Sequence, residues 1–146
     1  MSQKQKTIAV CLGGVVASLL LVGIVSATFV RHVIQVLPIV LALVAVAYQP
    51  RWGTYAAIPI FTLWLVLMVL IWLYLSGVQT FFTGTFSSAE VVLTVLIGLF
   101  SVFGIVTCAG SRVAAGVAGR AAAVITFAAL QVGAMWVSFL RPFANR

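Results

Sequence analysis

The chain has 146 residues, of which 64% are hydrophobic and 6% are charged, and its mean hydropathy is +1.30. About a quarter of the residues in a soluble domain are charged, so this composition excludes a soluble domain and predicts a polytopic membrane protein. The net charge of +7 comes from eight Lys and Arg residues and one acidic residue. These cations are scattered between apolar stretches and form no patch, which excludes nucleic acid as a partner.

Five apolar runs predict an all-α membrane protein, a compact bundle of five transmembrane helices in one domain that covers residues 1–146. The predicted spans are residues 7–30, 33–48, 55–78, 89–110 and 121–140. The second run is short and contains Pro38, so a kinked or re-entrant segment is an alternative that leaves four spans. Cleavage of residues 1–27 as a signal peptide is another, but the long apolar core favours an uncleaved anchor.

Charge placement favours five spans over four. With five spans and an inner N-terminus, the inner segments contain Lys4, Lys6, Arg51, Arg112 and Arg120, and the outer segments contain Arg31, Arg141 and Arg146. Without the second span the cations divide evenly between the two sides. The positive-inside rule therefore predicts five spans with a cytoplasmic N-terminus. Size and compactness point to a bacterial inner membrane.

Small residues at four-residue spacing predict faces on which helices pack closely. They are Gly14 with Ser18 and Gly23 with Ala27 in the first span, and Ser111, Ala115, Gly119 and Ala123 before and within the fifth. The second series predicts a helix that extends the fifth span inward. The alternative is a Gly- and Ala-rich loop that joins spans four and five.

The side chains offer little chemistry, because the chain has one Glu, one His, two Cys and no Asp. A Ser/His/Asp triad and a pair of catalytic carboxylates are both excluded. Cys11 and Cys108 have no metal-ligand spacing and are interpreted as small apolar side chains. The sequence therefore predicts no catalytic residue and no metal site, and it leaves any cofactor unknown.

Two interpretations apply to Glu90, the only carboxylate side chain. Under the five-span topology Arg31, His32 and Glu90 share one end of the bundle, and Gln35 lies one turn in from His32. Charges at membrane depth are costly and usually paired, so these four residues predict a polar or ion-pair cluster that gates an ion, a proton or a small polar substrate. Ser87 and Glu90 also fit the S-x-x-E capping box, which explains the residue type and its position locally. The two roles are compatible.

Together these features predict a small non-enzymatic integral membrane protein. The leading hypothesis is an accessory or structural subunit of a larger membrane complex, or a homo-oligomer, with lipid, other membrane subunits or further copies as partners. One alternative is a small transporter or channel whose outer vestibule is formed by Arg31, His32 and Glu90. Another is an enzyme subunit whose cofactor is held mainly by a partner.

Overall fold

The computed structural model describes residues 1–80, 84–111 and 116–144. These residues form α1 (Gln3–Val25), α2 (Phe29–Tyr48), α3 (Pro50–Leu75), α4 (Ser88–Ala109), α5 (Val117–Ser138) and α6 (Arg141–Ala144). The first five helices are each long and apolar enough to cross a membrane. Even α2, with 20 residues, is about 30 Å long at 1.5 Å per residue, which matches the hydrocarbon core of a bilayer.

The first four helices form a ring, because α1 and α3 each pack against both α2 and α4. α5 packs outside this ring against α2 and α3, and the short α6 lies against α2 and α5. Lys4 Nζ donates a hydrogen bond to the Gly110 carbonyl just after α4, so the start of α1 and the end of α4 meet. We call this the Lys4 end of the bundle, and the opposite end, where α4 begins, the Glu90 end.

Four glycines bring the helices together by accepting an aromatic ring from a neighbouring helix. The pairs are Gly14 with Phe100, Gly98 with Trp72, Gly104 with Phe61, and Gly119 with Trp52. A Cβ atom at Gly104 would lie 2.4 Å from the Phe61 ring, which is completely buried. Such close approach is what helix packing requires where hydrophobic association is weak. Two of the predicted packing glycines, Gly14 and Gly119, therefore each face an aromatic ring.

The other predicted packing residues divide between interfaces and connections. Ser18 and Ala123 are buried, and Gly23 is buried against Phe29 and His32 at the start of α2. Ala27 is exposed with φ of 54° and lies in the turn after α1, so the prediction that it belongs to a helix face is wrong.

The connection from α4 to α5 differs from the predicted long helix. Ser111 lies outside both helices, and Ala115 lies outside the described residues. α5 begins at Val117, after Gly116, whose backbone is extended. Glycine is a poor helix former, which explains why the helix begins only after this residue.

α2 and α3 are joined by Gln49 alone, because α3 begins at Pro50. The sequence predicted a longer turn ending near residue 55, whereas the proline occupies the first turn of α3, where its missing amide costs nothing. Gly53 permits this sharp reversal, since a Cβ there would lie 2.4 Å from the backbone of Val46.

Pro38 lies inside α2 without breaking it, so residues 33–48 belong to one continuous helix. Proline lacks the amide hydrogen and crowds the preceding turn, which weakens the local hydrogen-bond ladder. Gln131 of α5 donates from Nε2 to the Gln35 carbonyl in that preceding turn, at 3.1 Å. A neighbouring helix thus supports the backbone next to the proline.

We expect Gly104→Ala to destabilise the protein by about 1–3 kcal/mol, because the added methyl group overpacks against the buried Phe61 ring. The matched control is Gly13→Ala, since a Cβ at Gly13 has no neighbour within 4 Å and alanine favours a helix. Thermal unfolding of both variants in one detergent measures the difference. Equal melting temperatures for the two variants would contradict the role of this contact.

Candidate ligand-binding cavity

A cavity of about 610 Å³ lies inside the bundle at the Glu90 end, and we call it the Glu90-end cavity. Four predicted polar residues line it together: Arg31, His32, Gln35 and Glu90. The remaining lining residues are Leu19, Val22, Ser26, Thr28, Trp64, Leu67, Met68, Ile71, Phe86, Thr94, Ile97, Met135 and Phe139. Its volume lies in the range of about 300–1,000 Å³ that small-molecule sites occupy.

The cavity reaches about 10 Å into the bundle. Its lining runs from Glu90 to Ile97 on α4 and from Ile71 to Trp64 on α3, and seven residues of helix correspond to about 10 Å. Below this level the core is tightly packed, because Phe61, Ile60 and Leu12 are completely buried. The polar residues therefore stand above an apolar floor.

Glu90 forms a complete capping box with Ser87 at the start of α4. Its Oε2 accepts hydrogen bonds from the Ser87 amide and the Ser87 hydroxyl, both at 2.7 Å, and the Glu90 amide donates to Ser87 Oγ at 3.3 Å. The negative charge also suits the positive end of the helix dipole. This local network fixes the position of the carboxylate beside the cavity.

Arg31 lines the same cavity but forms no ion pair with Glu90, and within the described residues its guanidinium makes no hydrogen bond. Its Nε is buried without a hydrogen-bond partner. The guanidinium carbon lies 3.8 Å from the centre of the Phe139 ring, in a cation–π contact. The structure thus gathers the predicted cluster into one cavity but does not join its opposite charges directly.

His32 is oriented by the turn that precedes it. Its Nδ1 lies 3.0 Å from the Thr28 carbonyl and 3.2 Å from Thr28 Oγ1, and that hydroxyl lies 2.6 Å from Ser26 Oγ. Because a carbonyl can only accept, this geometry assigns a proton to Nδ1. No described residue bonds to Nε2.

Gln35 connects the cavity to α5. Its Nε2 donates to Ser138 Oγ at 2.9 Å and approaches Met135 Sδ at 3.3 Å. Gln35 and Ser138 are both almost completely buried. The side chain that the sequence placed in a polar cluster therefore also ties α2 to α5.

Two residues that sequence reasoning missed complete the site. Trp64 is 4% exposed and lines the cavity, yet its indole nitrogen has no hydrogen-bond partner. A tryptophan in the middle of an apolar helix is itself a signal, because a buried indole N–H normally has a partner. Phe139 gave no such signal, since its contact with Arg31 depends on how α2 and α5 pack.

Aromatic residues at this end do not all face outward. Trp72 packs on Gly98 and donates from Nε1 to Thr94 Oγ1 at 3.1 Å. Thr94 in turn donates to the Val91 carbonyl at 2.8 Å. This chain of contacts joins α3 to α4 beside the cavity.

Comparison of the chain with protein-family models, with curated proteins and with solved structures gave no match.

We expect Ser87→Ala to destabilise the protein by about 0.5–2 kcal/mol, because it removes the cap hydroxyl. Glu90→Gln should cost less than Glu90→Ala, since an amide oxygen can still accept from the Ser87 amide. Thermal unfolding of the three variants measures these costs. A Glu90→Gln variant as unstable as Glu90→Ala would show that the charge, and not the cap hydrogen bond, dominates.

Proposed function

We propose that this chain is a small, non-enzymatic integral membrane protein that binds a ligand in the Glu90-end cavity. One observation carries the proposal: the cavity brings together several polar side chains from otherwise apolar helices and leaves donors on Arg31 and Trp64 unpaired. A buried donor without a partner costs about 1–3 kcal/mol. A ligand that accepts hydrogen bonds would offset this cost.

The membrane setting is supported by the five apolar helices and by large apolar side chains on their outward faces, such as Val10, Val106 and Ile125. We place the Lys4 end in the cytoplasm, because Lys4, Lys6, Arg51 and Arg120 lie at that end. In a bacterial inner membrane the cavity would then open toward the periplasm.

Packing below the cavity favours a binding site over a channel. Phe61, Ile60 and Leu12 are completely buried, and Phe61 closes on Gly104. A ligand held above this floor would reach the opposite side only through a rearrangement of the helices. The structure therefore supports a protein that holds its ligand more than one that conducts ions.

A photo-crosslinking experiment tests the proposal. The full chain in phosphatidylcholine nanodiscs is exposed to single-chain amphiphiles with a diazirine in the chain and an anionic, zwitterionic or cationic headgroup. Cross-links are mapped by mass spectrometry. We expect at least one probe to label Trp64, which is 4% exposed and cannot be reached from the surrounding lipid.

Val22→Trp should weaken this labelling by about tenfold or more, because the larger side chain fills the cavity. Val95→Trp is the matched control, since Val95 is 42% exposed on α4 and does not line the cavity. If no probe labels Trp64, or if both variants reduce labelling equally, the proposed function is wrong.

A role within a larger assembly is a second candidate, favoured by α5. Only 17% of its apolar window is buried, against 33–39% for the other four helices. Ala118, Ala122 and Ala129 are exposed on this helix, and a Cβ at Gly133 would meet nothing within 4 Å. Small residues of this kind permit close approach of a further helix.

Native mass spectrometry of gently solubilised membranes tests this second role. We expect a self-assembled or partner-bound species whose abundance falls with Ala122→Trp and is unchanged with Val102→Trp, an outward position on α4. A monomer in both cases, with no co-purifying chain, would contradict the role.

A further inference from the structure

Arg31 is a cation that lines the same cavity as the Glu90 carboxylate without pairing with it. Its guanidinium has no hydrogen bond or ion pair with a described residue, and its Nε is buried. The Glu90 carboxylate already accepts two hydrogen bonds from Ser87 through Oε2. Partly buried charges are normally paired, so this arrangement leaves an anion-binding position open at Arg31.

Phe139 presents Arg31 in a suitable orientation for an anion. The guanidinium carbon lies over the Phe139 ring, 3.8 Å from its centre. Stacking on an aromatic ring leaves the N–H groups at the edge of the plane free to donate. These groups form a fork that matches the two oxygens of a carboxylate or phosphate.

The rest of the cavity is suited to hydrocarbon. Most of its lining residues beyond Arg31 and Gln35 are apolar, including Leu19, Val22, Leu67, Met68, Ile71 and Ile97. A volume of about 610 Å³ corresponds to roughly twenty water molecules in liquid volume, far more than one inorganic anion occupies. A small anion alone would leave this apolar surface in contact with water.

Building on the proposed function, we infer that the ligand is an anionic amphiphile. Its carboxylate or phosphate binds Arg31, and its hydrocarbon chain lies along the apolar lining toward Trp64. An oxygen in or near the chain, as in an ester or an amide, accepts a hydrogen bond from the unpaired Trp64 indole. Either a lipid from the bilayer or an amphiphile from the aqueous side satisfies this chemistry.

The charges around the cavity predict how substitutions should change the affinity for an anion. Glu90 opposes an anion, whereas the dipole at the start of α4 favours one. Removing the Glu90 charge while keeping its cap should therefore tighten the binding of an anion, and removing the Arg31 charge should weaken it.

Competition against the diazirine probe tests the inference with the full chain in phosphatidylcholine nanodiscs. The competitors are dodecyl phosphate, dodecylphosphocholine, dodecyltrimethylammonium and inorganic phosphate. We expect dodecyl phosphate to compete best for labelling of Trp64 in the unsubstituted protein. This preference among headgroups requires no variant to fold.

Substitutions of charged residues then test whether the anion binds at Arg31. Arg31→Gln should weaken competition by dodecyl phosphate about ten- to hundredfold, and Arg31→Lys should weaken it less, because charge is kept and the fork is lost. Glu90→Gln should strengthen it. Arg120→Gln is the matched control, since Arg120 lies at the Lys4 end beside Tyr55 and should have no effect.

The outcomes separate the inference from the function on which it rests. Trp64 labelling that is sensitive to Val22→Trp but favours a zwitterionic or cationic headgroup, or is unaffected by Arg31→Gln, overturns the ligand class alone. Competition by inorganic phosphate as strong as that by dodecyl phosphate also overturns it. Loss of Trp64 labelling with every headgroup overturns the proposed function as well.

One further arm identifies the source of the ligand. The nanodiscs are prepared with a two-chain anionic phospholipid as competitor. Reduced Trp64 labelling supports an anionic lipid of the bilayer, and unchanged labelling, with dodecyl phosphate still effective, supports a single-chain amphiphile from the aqueous side.

Discussion

The architecture depends on aromatic rings that pack directly onto glycine. In a bilayer, where this chain is proposed to function, lipid tails are as apolar as leucine, so burial of apolar surface gives helices little reason to associate. Close packing of side chains must therefore provide the attraction between helices. The rings of Phe100, Trp72, Phe61 and Trp52 each occupy the space that a glycine leaves on a facing helix, and these contacts join α1 to α4, α3 to α4 and α3 to α5.

The position of the cavity follows from where these contacts lie. Three of them, at Gly14, Gly104 and Gly119, occur at mid-bundle or toward the Lys4 end, where Gly53 also brings α3 onto the backbone of α2. At the Glu90 end polar contacts also connect the helices, among them Gln35 with Ser138 and Trp72 with Thr94. These bonds reach between helices without filling the space between them. The bundle is therefore tightly packed at one end and holds a polar-lined cavity at the other.

Much of this could be predicted from sequence where the signal is local. Five apolar runs predicted the five long helices. The spacing of Ser87 and Glu90 predicted a capping box, and its hydrogen bonds are present in the structure. The same pattern at Ser2 and Gln5 also caps α1. One cavity is lined by Arg31, His32, Gln35 and Glu90, because the starts of α2 and α4 lie at the same end of the bundle.

Most of the failures of prediction concern contacts between residues that are distant in the sequence. A glycine motif does not reveal which ring will pack against it, and nothing near Phe139 indicates that it will stack on Arg31. Small residues between Ser111 and Ala123 suggested a long helix, but Gly116 is extended and delays the start of α5. In each case the deciding contact or backbone conformation lies beyond what spacing alone describes.

The hydrogen bond from Gln131 to the Gln35 carbonyl also bears on the order of assembly. α2 is synthesised early with a proline that weakens its backbone, and the residue that supports that backbone belongs to α5, the last of the five long helices. Until α5 arrives, the Gln35 carbonyl lacks this hydrogen bond from a neighbouring helix, and the turn before the proline lacks that support. Completion of the fold is thus linked to completion of the chain. Although α5 lies outside the ring of α1 to α4, its packing would be the last step of folding.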